Sequence, residues 1–249
     1  MKYWKALLVG IVQGLTEFLP VSSSGHLTIL AKLSIAPTSV FYNLALHLAT
    51  LAALLIVMRR EVAEIIFHPI KGDAKYLLLA SIPTAAVAFL FKMVWPTLLT
   101  GSLLGFGFIL TSVILFASER LCRERIGREM DRKVALFTGL TQGIAVLPGV
   151  SRSGATIAAA RSFGLSAECA ARYSFLLSIP VIVGGFLFEG VESGFSAVGA
   201  DGGEIVVAAV AAFVSGLIAV RFLLKRIKKG LMPFVPYTFL VGVFCYFLP

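Results

Sequence analysis

The stretch from Gln13 to His26 reads Q-G-L-T-E-F-L-P-V-S-S-S-G-H and decides how the chain folds. Within an otherwise apolar sequence it holds an amide, a carboxylate, three adjacent serine hydroxyls and an imidazole, and Pro20 interrupts its apolar run. Ionisable groups at membrane depth are costly, so they normally face a cavity and mark a functional site. The stretch therefore predicts a broken helix that carries polar chemistry into apolar surroundings.

The same pattern recurs in the second half of the chain. Residues 142–154 read Q-G-I-A-V-L-P-G-V-S-R-S-G and align with residues 13–25 without a gap, at an offset of 129 positions. Six positions are identical, namely a glutamine, a valine, two serines and two glycines. Because the offset is about half of the 249 residues, it indicates one membrane domain made of two repeats, about 1–118 and 133–249.

Composition sets the class of protein. Hydrophobic residues make up 58% of the chain and charged residues 14%, with a mean hydropathy of +0.94, which is outside the range of a soluble domain. The sequence predicts an all-α polytopic membrane protein. A net charge of +9 would suit nucleic acid, but the basic residues lie in short runs between apolar segments, where the positive-inside rule accounts for them. Nucleic acid is therefore not expected as a partner.

Segment lengths predict six transmembrane helices and two re-entrant helical hairpins. A span needs about 20 residues. Six apolar segments reach or approach that length: 41–58, 76–94, 102–117, 169–188, 205–224 and 237–248. Two further pairs of short segments are broken by proline, 3–19 with 26–33 and 134–147 with about 153–163. Because the short pieces cannot cross alone, each pair predicts a hairpin that turns near mid-membrane.

The distribution of Lys and Arg predicts the orientation. The loops at 59–75, 119–133 and 221–233 hold four, six and five basic residues, 15 of the 22 in the chain, and are expected to be cytoplasmic. Residues 189–204 hold four acidic residues and no basic residue, as expected of an external loop. Counting crossings from these loops makes the halves inverted copies, with the first hairpin opening to the external, periplasmic side. Inverted repeats of this kind form their sites at the repeat interface near the midplane.

The two motifs resemble those of a known family, the bacitracin-resistance type of undecaprenyl-diphosphate phosphatase. Gln13 to His26 matches the first motif of that family, and Pro148 to Thr156 matches the second, P-G-x-S-R-S-G-x-T. The resemblance implies an enzyme of the cell inner (cytoplasmic) membrane that hydrolyses undecaprenyl or another polyprenyl diphosphate to the monophosphate and inorganic phosphate. It also implies recycling of the lipid carrier for cell-wall synthesis and resistance to bacitracin. Gln13 departs from the pattern, because many relatives have a second carboxylate there.

Gln13 and Glu17 are four residues apart, so both side chains project from one face of a helix. A carboxylate and an amide oxygen suit a hard divalent cation, Mg²⁺ or Ca²⁺, which would sit on the diphosphate. We therefore expect Gln13 and Glu17 to hold a metal, and Glu17 also to take part in catalysis.

The serine run occupies the break before the second half-helix. The free N–H groups and the positive dipole end of such a helix start make a phosphate cradle. Ser23 is expected to be catalytic. Substrate binding is expected from its neighbours Ser22, Ser24 and Gly25.

The second motif differs from the first in the groups that carry charge. Arg152 aligns with Ser23, and Val146 aligns with Glu17. The guanidinium of Arg152 is expected to clamp phosphate and to stabilise charge on the transferring phosphoryl group. Further contacts with substrate oxygens are expected from Ser151, Ser153 and Thr156.

Two routes of attack on phosphorus stay open. Either His26 activates a hydroxyl of the serine run, with Ser23 favoured as the nucleophile, or His26 and Glu17 activate water. The blander alternative is a structural ion pair between Glu17 and Arg152, since buried charges are usually paired. His47, a lone imidazole inside an apolar segment, is left out of the predicted site.

Other classes of protein compete with the enzyme. Inverted repeats with broken helices are also the architecture of secondary transporters, so an exchanger or a flippase of polyprenyl phosphate is an alternative. The cluster of Glu17, His26 and Arg152 is more than lipid binding requires, which favours the enzyme. A lipid phosphatase of the acid-phosphatase type needs a second histidine shortly after its S-R element, and residues 153–160 contain none. Close helix packing in a homodimer is suggested by three glycines, Gly101, Gly105 and Gly107.

Overall fold

The computed structural model describes most of the chain. The described residues are 3–37, 39–69, 74–122, 124, 128–192 and 202–248. Most of the predicted external segment, residues 193–201, lies outside these ranges, as do Lys71, Arg123 and Arg125 of the basic loops.

The described chain is helical throughout. Its α-helices are α1 Tyr3–Phe18, α2 Ser23–Lys32, α3 Val40–Val57, α4 Arg59–Phe67, α5 Ala74–Val94, α6 Leu104–Leu121, α7 Arg132–Ile144, α8 Arg152–Ser162, α9 Ala167–Glu192, α10 Gly202–Arg226 and α11 Phe234–Phe244. Short 3₁₀ turns cover Pro96–Thr100, Ile227–Lys229 and Cys245–Phe247. The predicted all-α class is confirmed.

Five helices of the described chain are long and apolar enough to cross a membrane, namely α3, α5, α6, α9 and α10. The protein is therefore a multi-pass membrane protein. The predicted sixth span, 237–248, overlaps with α11, whose 11 residues are extended only by a three-residue 3₁₀ turn, so it is too short to be counted with these five. At 1.5 Å per residue this element is about 20 Å long, against about 30 Å of hydrocarbon.

The first basic loop contains a helix that the sequence analysis does not predict. α4 has charged residues in its first turn and two exposed apolar residues, Ile66 and Phe67, in its last. None of its residues is buried. A short amphipathic helix of this kind suits the interface between lipid and water.

Both broken segments are built in the same way. α1 ends at Phe18 and α7 ends at Ile144, and in each case a short non-helical turn leads to a capped helix. Ser22 Oγ accepts a hydrogen bond from the Gly25 N–H at 3.3 Å, and Ser151 Oγ accepts one from the Gly154 N–H at 3.1 Å. A serine in this position stabilises a helix start by about 1 kcal/mol. The 129-residue offset therefore holds at the level of individual hydrogen bonds.

The contacts between helices also correspond when the two halves of the chain are exchanged. The first residues of α1 and α2 precede those of α7 and α8 by 129 positions, and α3, α5 and α6 precede α9, α10 and α11 by 127 to 130. α1 packs against α10 as α7 packs against α5. α3 contacts α10 as α9 contacts α5, while α3 contacts α9 and α6 contacts α11. Exchanging the halves thus leaves the pattern of these contacts unchanged.

Glycines allow the closest of these approaches. A Cβ atom on Gly10 would strike the Ala208 carbonyl of α10, and one on Gly139 would strike the Ala80 carbonyl of α5. Gly10 and Gly139 are 129 positions apart, so the two helix crossings are equivalent in sequence and in structure.

Two of the glycines that suggest a homodimer have internal partners. A Cβ atom on Gly105 would lie 2.8 Å from the Gly242 carbonyl of α11, and one on Gly107 would strike the Pro148 carbonyl. These glycines allow α6 to pack against its own chain. Their small size therefore indicates internal packing.

Candidate active site

Glu17 is the centre of a polar cluster in which the two broken segments meet. It lies in the last turn of α1 and is only 4% exposed. Its Oε1 atom pairs with Arg152 Nη2, and its Oε2 atom accepts hydrogen bonds from Ser23 Oγ at 2.6 Å and from Gln13 Nε2 at 2.9 Å. The cluster joins the three expected site residues Glu17, Ser23 and Arg152 in one hydrogen-bonded unit.

The positions of Ser23 and Arg152 follow from the repeat. Each is the first residue of a helix, Ser23 of α2 and Arg152 of α8. Both helix starts present free N–H groups and a positive dipole end, which favour an anion. A guanidinium at such an end is unfavourable by itself, so the carboxylate of Glu17 compensates for it. The arrangement offers an incoming anion two helix starts and one guanidinium.

His47 belongs to the same cluster, although the sequence analysis leaves it out. Its Nδ1 atom lies 3.2 Å from Gln13 Nε2 and 3.4 Å from Glu17 Oε2. Since an amide nitrogen only donates, the Nδ1 atom of a neutral imidazole accepts from Gln13. The feature of the sequence that could have placed His47 in the site is its imidazole, since an ionisable group inside an apolar span is costly.

Gln13 provides the test of whether the site suits a cation. Its Oε1 atom is buried and has no hydrogen-bond partner. In the described part of the chain, no group of three or more His, Cys, Asp or Glu side chains is arranged to hold a metal. Mg²⁺, however, is often held by one or two protein oxygens together with substrate phosphates. Gln13 and Glu17 therefore fit a divalent cation that arrives with a diphosphate.

His26 contacts α11, and no described contact joins it to the Ser23 hydroxyl. Its Nδ1 atom lies 2.7 Å from the Ser22 carbonyl oxygen and its Nε2 atom 2.7 Å from the Tyr237 hydroxyl. A carbonyl can only accept, so Nδ1 carries the proton and Nε2 accepts from Tyr237. The Ser23 hydroxyl donates instead to Glu17, and the activation of Ser23 by His26 stays a prediction.

Ser22 has a strained backbone between these groups. Its φ is +68° with ψ 96°, a region that residues other than glycine rarely adopt, whereas Ser151 in the second repeat has φ −77°. Strain of this kind costs about 1–3 kcal/mol and is characteristic of functional sites. The hydrogen bond from His26 to the Ser22 carbonyl holds this conformation.

Three residues expected to bind substrate face the protein interior. Ser153 Oγ donates to the Leu19 carbonyl at 3.1 Å, and Thr156, which is fully buried, lies 2.6 Å from the Ser174 hydroxyl. Gly25 packs against the Phe108 ring. These contacts tie α8 and α2 to their neighbours. The remaining three, Ser22, Ser24 and Ser151, line a cavity.

That cavity has a volume of about 780 Å³ and runs from the polar cluster out between α5 and α9. Glu17, Ser23, His47 and Arg152 lie at its inner end. Most of the remaining lining is apolar and includes Leu44, Ala85, Ala88, Phe89, Leu99, Val181 and Phe188. An apolar cavity with a few polar groups at one end suits a ligand that has a charged head and a hydrocarbon chain.

The shape of the cavity follows from the sequences of α5 and α9. Each has an interior proline, Pro83 in α5 and Pro180 in α9, which disrupts the helical hydrogen bonds. Gly184 and Gly185 also line the cavity, and a Cβ atom on either would meet nothing within 4 Å. The equivalent pair, α10 and α3, has no interior proline and packs closely, with a Cβ on Gly216 only 3.3 Å from Ala53.

Comparison with known proteins identifies the family. A family model described as bacitracin resistance protein BacA matches residues 6–244. The chain belongs to the BacA family. Curated relatives of this BacA protein agree with that result. An undecaprenyl-diphosphatase of Carboxydothermus hydrogenoformans is 40% identical, with 98% of this chain and 96% of that protein aligned.

Two further relatives of the BacA protein align over nearly their full length. An undecaprenyl-diphosphatase of Korarchaeum cryptofilum is 36% identical over 98% of both chains. One of Halothermothrix orenii is 37% identical, with 98% of this chain and 96% of that protein aligned. The resemblance drawn from the two motifs is confirmed, and both motifs lie within the matched range of the BacA family.

Proposed function

We propose that the protein hydrolyses undecaprenyl diphosphate to undecaprenyl phosphate and inorganic phosphate, and that it thereby recycles the lipid carrier of cell-wall synthesis and confers bacitracin resistance. One observation carries the proposal. In a BacA-family chain, the unit of Ser23, Glu17 and Arg152 lies at the inner end of a cavity whose lining is mostly apolar. The cavity suits a prenyl chain, and the polar unit suits a diphosphate.

Ser23 is the proposed nucleophile. Its oxygen attacks the terminal phosphorus, the bond from that phosphorus to the bridging oxygen breaks, and undecaprenyl phosphate leaves with the bonding electrons. The hydroxyl proton passes to Glu17 Oε2, which is 2.6 Å from Ser23 Oγ. Water then attacks the phosphorus of the phosphoserine, and the bond from that phosphorus to Ser23 Oγ breaks. Glu17 returns its proton to Ser23 Oγ, and the proton lost by water leaves with the inorganic phosphate. The alternative is direct attack by water activated by His26 and Glu17.

Arg152 is proposed to stabilise the transferring phosphoryl group. Its Nη2 atom pairs with Glu17, while its Nη1 atom is buried without a protein acceptor. A phosphate that takes the guanidinium in a bidentate contact also frees Glu17 to accept the serine proton. Binding of the substrate therefore makes Glu17 available to act as the base.

The other expected site residues are proposed to support this unit. Ser24 and Ser151 line the cavity and are available to phosphate oxygens. His26 acts as a positioning residue through the Ser22 carbonyl. Gly25, Ser153 and Thr156 keep the two helix starts in place.

A divalent cation, Mg²⁺ or Ca²⁺, is proposed to bind together with the diphosphate. Gln13 and Glu17 would hold it, with the buried Gln13 Oε1 atom as one ligand. When bound, it neutralises phosphate charge. The protein residues orient the phosphate and move the proton.

The proposed architecture is six transmembrane segments and two re-entrant hairpins, arranged as two inverted repeats of about 1–118 and 133–249. Support comes from the exchange of helix contacts between the halves and from the paired caps at Ser22 and Ser151. The basic loops support a cytoplasmic membrane location with the cavity opening to the external side.

Phosphate release by the purified protein in detergent tests the function. Undecaprenyl diphosphate is supplied with and without EDTA, to the wild type and to Glu17→Gln and Arg152→Lys variants. We expect cation-dependent release that both substitutions reduce by at least about 100-fold, since each removes charge stabilisation or its fork geometry. Tight lipid binding without release by folded wild-type protein would instead favour a transporter.

A further inference from the structure

An ion pair lies at the outer end of the cavity, away from the polar cluster. Lys92, in the last turn of α5, donates to Glu192 Oε2 of α9 and lies 4.5 Å from the centre of the Phe188 ring. Lys92 lines the cavity, as do Phe188 and Glu189. The proposed catalytic steps make no use of this lysine.

Lys92 lies about two helical turns along α5 from the buried end of the cavity. Thr84, eight positions earlier in α5, belongs to the inner end of the cavity, where its hydroxyl accepts from Gln142 Nε2 at 3.2 Å. Eight residues of helix span about 12 Å at 1.5 Å each. A phosphate on Lys92 therefore lies about 12 Å along α5 from the Thr84 end of the cavity.

The partner of Lys92 is easily displaced. The Glu192 side chain is 58% exposed and that of Lys92 is 38% exposed. An exposed ion pair contributes little, about 0–1 kcal/mol. By contrast, the carboxylate of Glu17 that pairs with Arg152 is fully buried. An incoming phosphate can thus replace Glu192 at little cost.

We propose that Lys92 is a capture site for the phosphate head group of a prenyl lipid, and that the phosphate displaces Glu192, the partner of Lys92 in the ion pair. The aromatic rings of Phe89 and Phe188 beside it suit the hydrocarbon that follows the head group. This inference rests on the proposed function, and it adds a second phosphate position to the same cavity.

The capture site predicts opposite effects for the two partners of the pair. Lys92→Gln is expected to lower kcat/KM for undecaprenyl diphosphate about tenfold, mainly through KM, because a charged contact is lost. Lys92→Arg is expected to keep kcat/KM near that of the wild type.

Glu192→Gln is expected to raise kcat/KM about twofold to threefold, because it frees the lysine. Glu168→Gln removes the same charge from α9 and breaks an exposed ion pair with Lys228, and neither residue lines the cavity, so we expect it to leave kcat/KM within about 1.5-fold.

Several results would overturn the capture site. Equal losses of kcat/KM in Lys92→Gln and Glu192→Gln would show that the ion pair serves to hold α5 against α9. An equal gain in Glu168→Gln would assign the effect to general charge. If Lys92→Gln weakened inhibition by inorganic phosphate as much as binding of undecaprenyl phosphate, the lysine would bind free phosphate and not the lipid.

The measurements separate this inference from the proposed function. If the wild-type protein binds undecaprenyl phosphate but releases no phosphate from the diphosphate, the proposed enzymatic function is contradicted. Binding of undecaprenyl phosphate to the Lys92 variants then still tests the capture site. If the wild type turns over normally and the Lys92 variants have the same kcat/KM as the wild type, only the capture site is contradicted.

Discussion

The helix starts at Ser22 and Ser151 have the same construction and different chemistry. Each serine caps its helix by accepting from a glycine N–H three residues later. One position further on, the first repeat has Ser23 and the second has Arg152. The shared serine and glycine thus fix the start of each helix, while the next position differs and holds Ser23 or Arg152, the groups proposed to react with or bind phosphate.

The same contrast separates two helix interfaces. α1 against α10 and α7 against α5 are equivalent close packings with glycines in matching places. α3 against α10 is also closed, but its counterpart, α9 against α5, contains the two interior prolines and borders the cavity. The cavity therefore arises where one repeat departs from the other.

The largest expected effect is at the position where the repeats differ most. Ser23→Ala is expected to lower turnover by at least about 10³-fold, because it removes the attacking oxygen. The variant should fold normally, since the Ser23 hydroxyl donates only to Glu17. Ser81→Ala is the matched control, because the Ser81 hydroxyl lines the same cavity but donates to its own helix. Turnover by Ser23→Ala close to that of the control would leave the water route standing.

The next prediction concerns the shared glycines. Gly14→Ala and Gly143→Ala are each expected to lower the free energy of unfolding by about 1–3 kcal/mol, because the new methyl groups overlap with α10 and α5. Gly184→Ala is the control, since open space surrounds it and alanine favours a helix. Thermal unfolding in detergent measures all three. Equal stability of Gly143→Ala and Gly184→Ala would contradict the equivalence of the two crossings.

A smaller effect is expected at His47. His47→Ala should lower kcat/KM about tenfold, because Gln13 loses the acceptor that orients it beside Glu17. His47→Asn keeps an acceptor near the Nδ1 position and should retain most activity, whereas His47→Gln places its amide further out. Activity retained by the glutamine variant and lost in the asparagine variant would contradict the positioning role and indicate contact between Nε2 and the substrate.

The smallest expected effect is at the start of α7. Asp131 Oδ1 accepts from the Val134 N–H at 2.9 Å, and this hydrogen bond, followed by Arg128, holds the pKa of Asp131 below its ordinary value. A lowered folded-state pKa means that the cap stabilises fully above about pH 4 and that this stability is lost as the pH falls through the folded pKa. Asp131→Ala should cost about 1 kcal/mol at pH 7, and Asp131→Asn less. Thermal unfolding between pH 3 and 7 should show the difference in stability between wild type and alanine variant shrink toward the acid end, and a constant difference would contradict this role of Asp131.

Much of the fold follows from the sequence, because proline breaks and apolar runs are local signals. The break after Phe18 lies within two residues of Pro20, and the two caps fall at the predicted serine runs. The helix α4 was missed because its mean composition is polar and it follows a span after a single residue, Met58.

The contacts of the site were less predictable, since they join distant parts of the chain. His26 and Tyr237 are 211 positions apart, and Gln13 and His47 are 34 apart. No spacing in a single sequence records such pairs. The pairing of Glu17 with Arg152 was foreseen only as a structural alternative, and the hydrogen bond from Ser23 makes the same pair part of the candidate site.

The charges on the cavity lining have a consequence for binding. In the described part of the chain they are Glu17, Lys92, Arg152 and Glu189, which sum to zero. A diphosphate therefore brings uncompensated negative charge into the cavity unless a cation comes with it. If the proposed cation binds, lipid and cation binding are thermodynamically linked, and each raises the affinity of the other by the same factor. The response of such an enzyme to its substrate is consequently set by the ionic composition of the compartment into which the cavity opens.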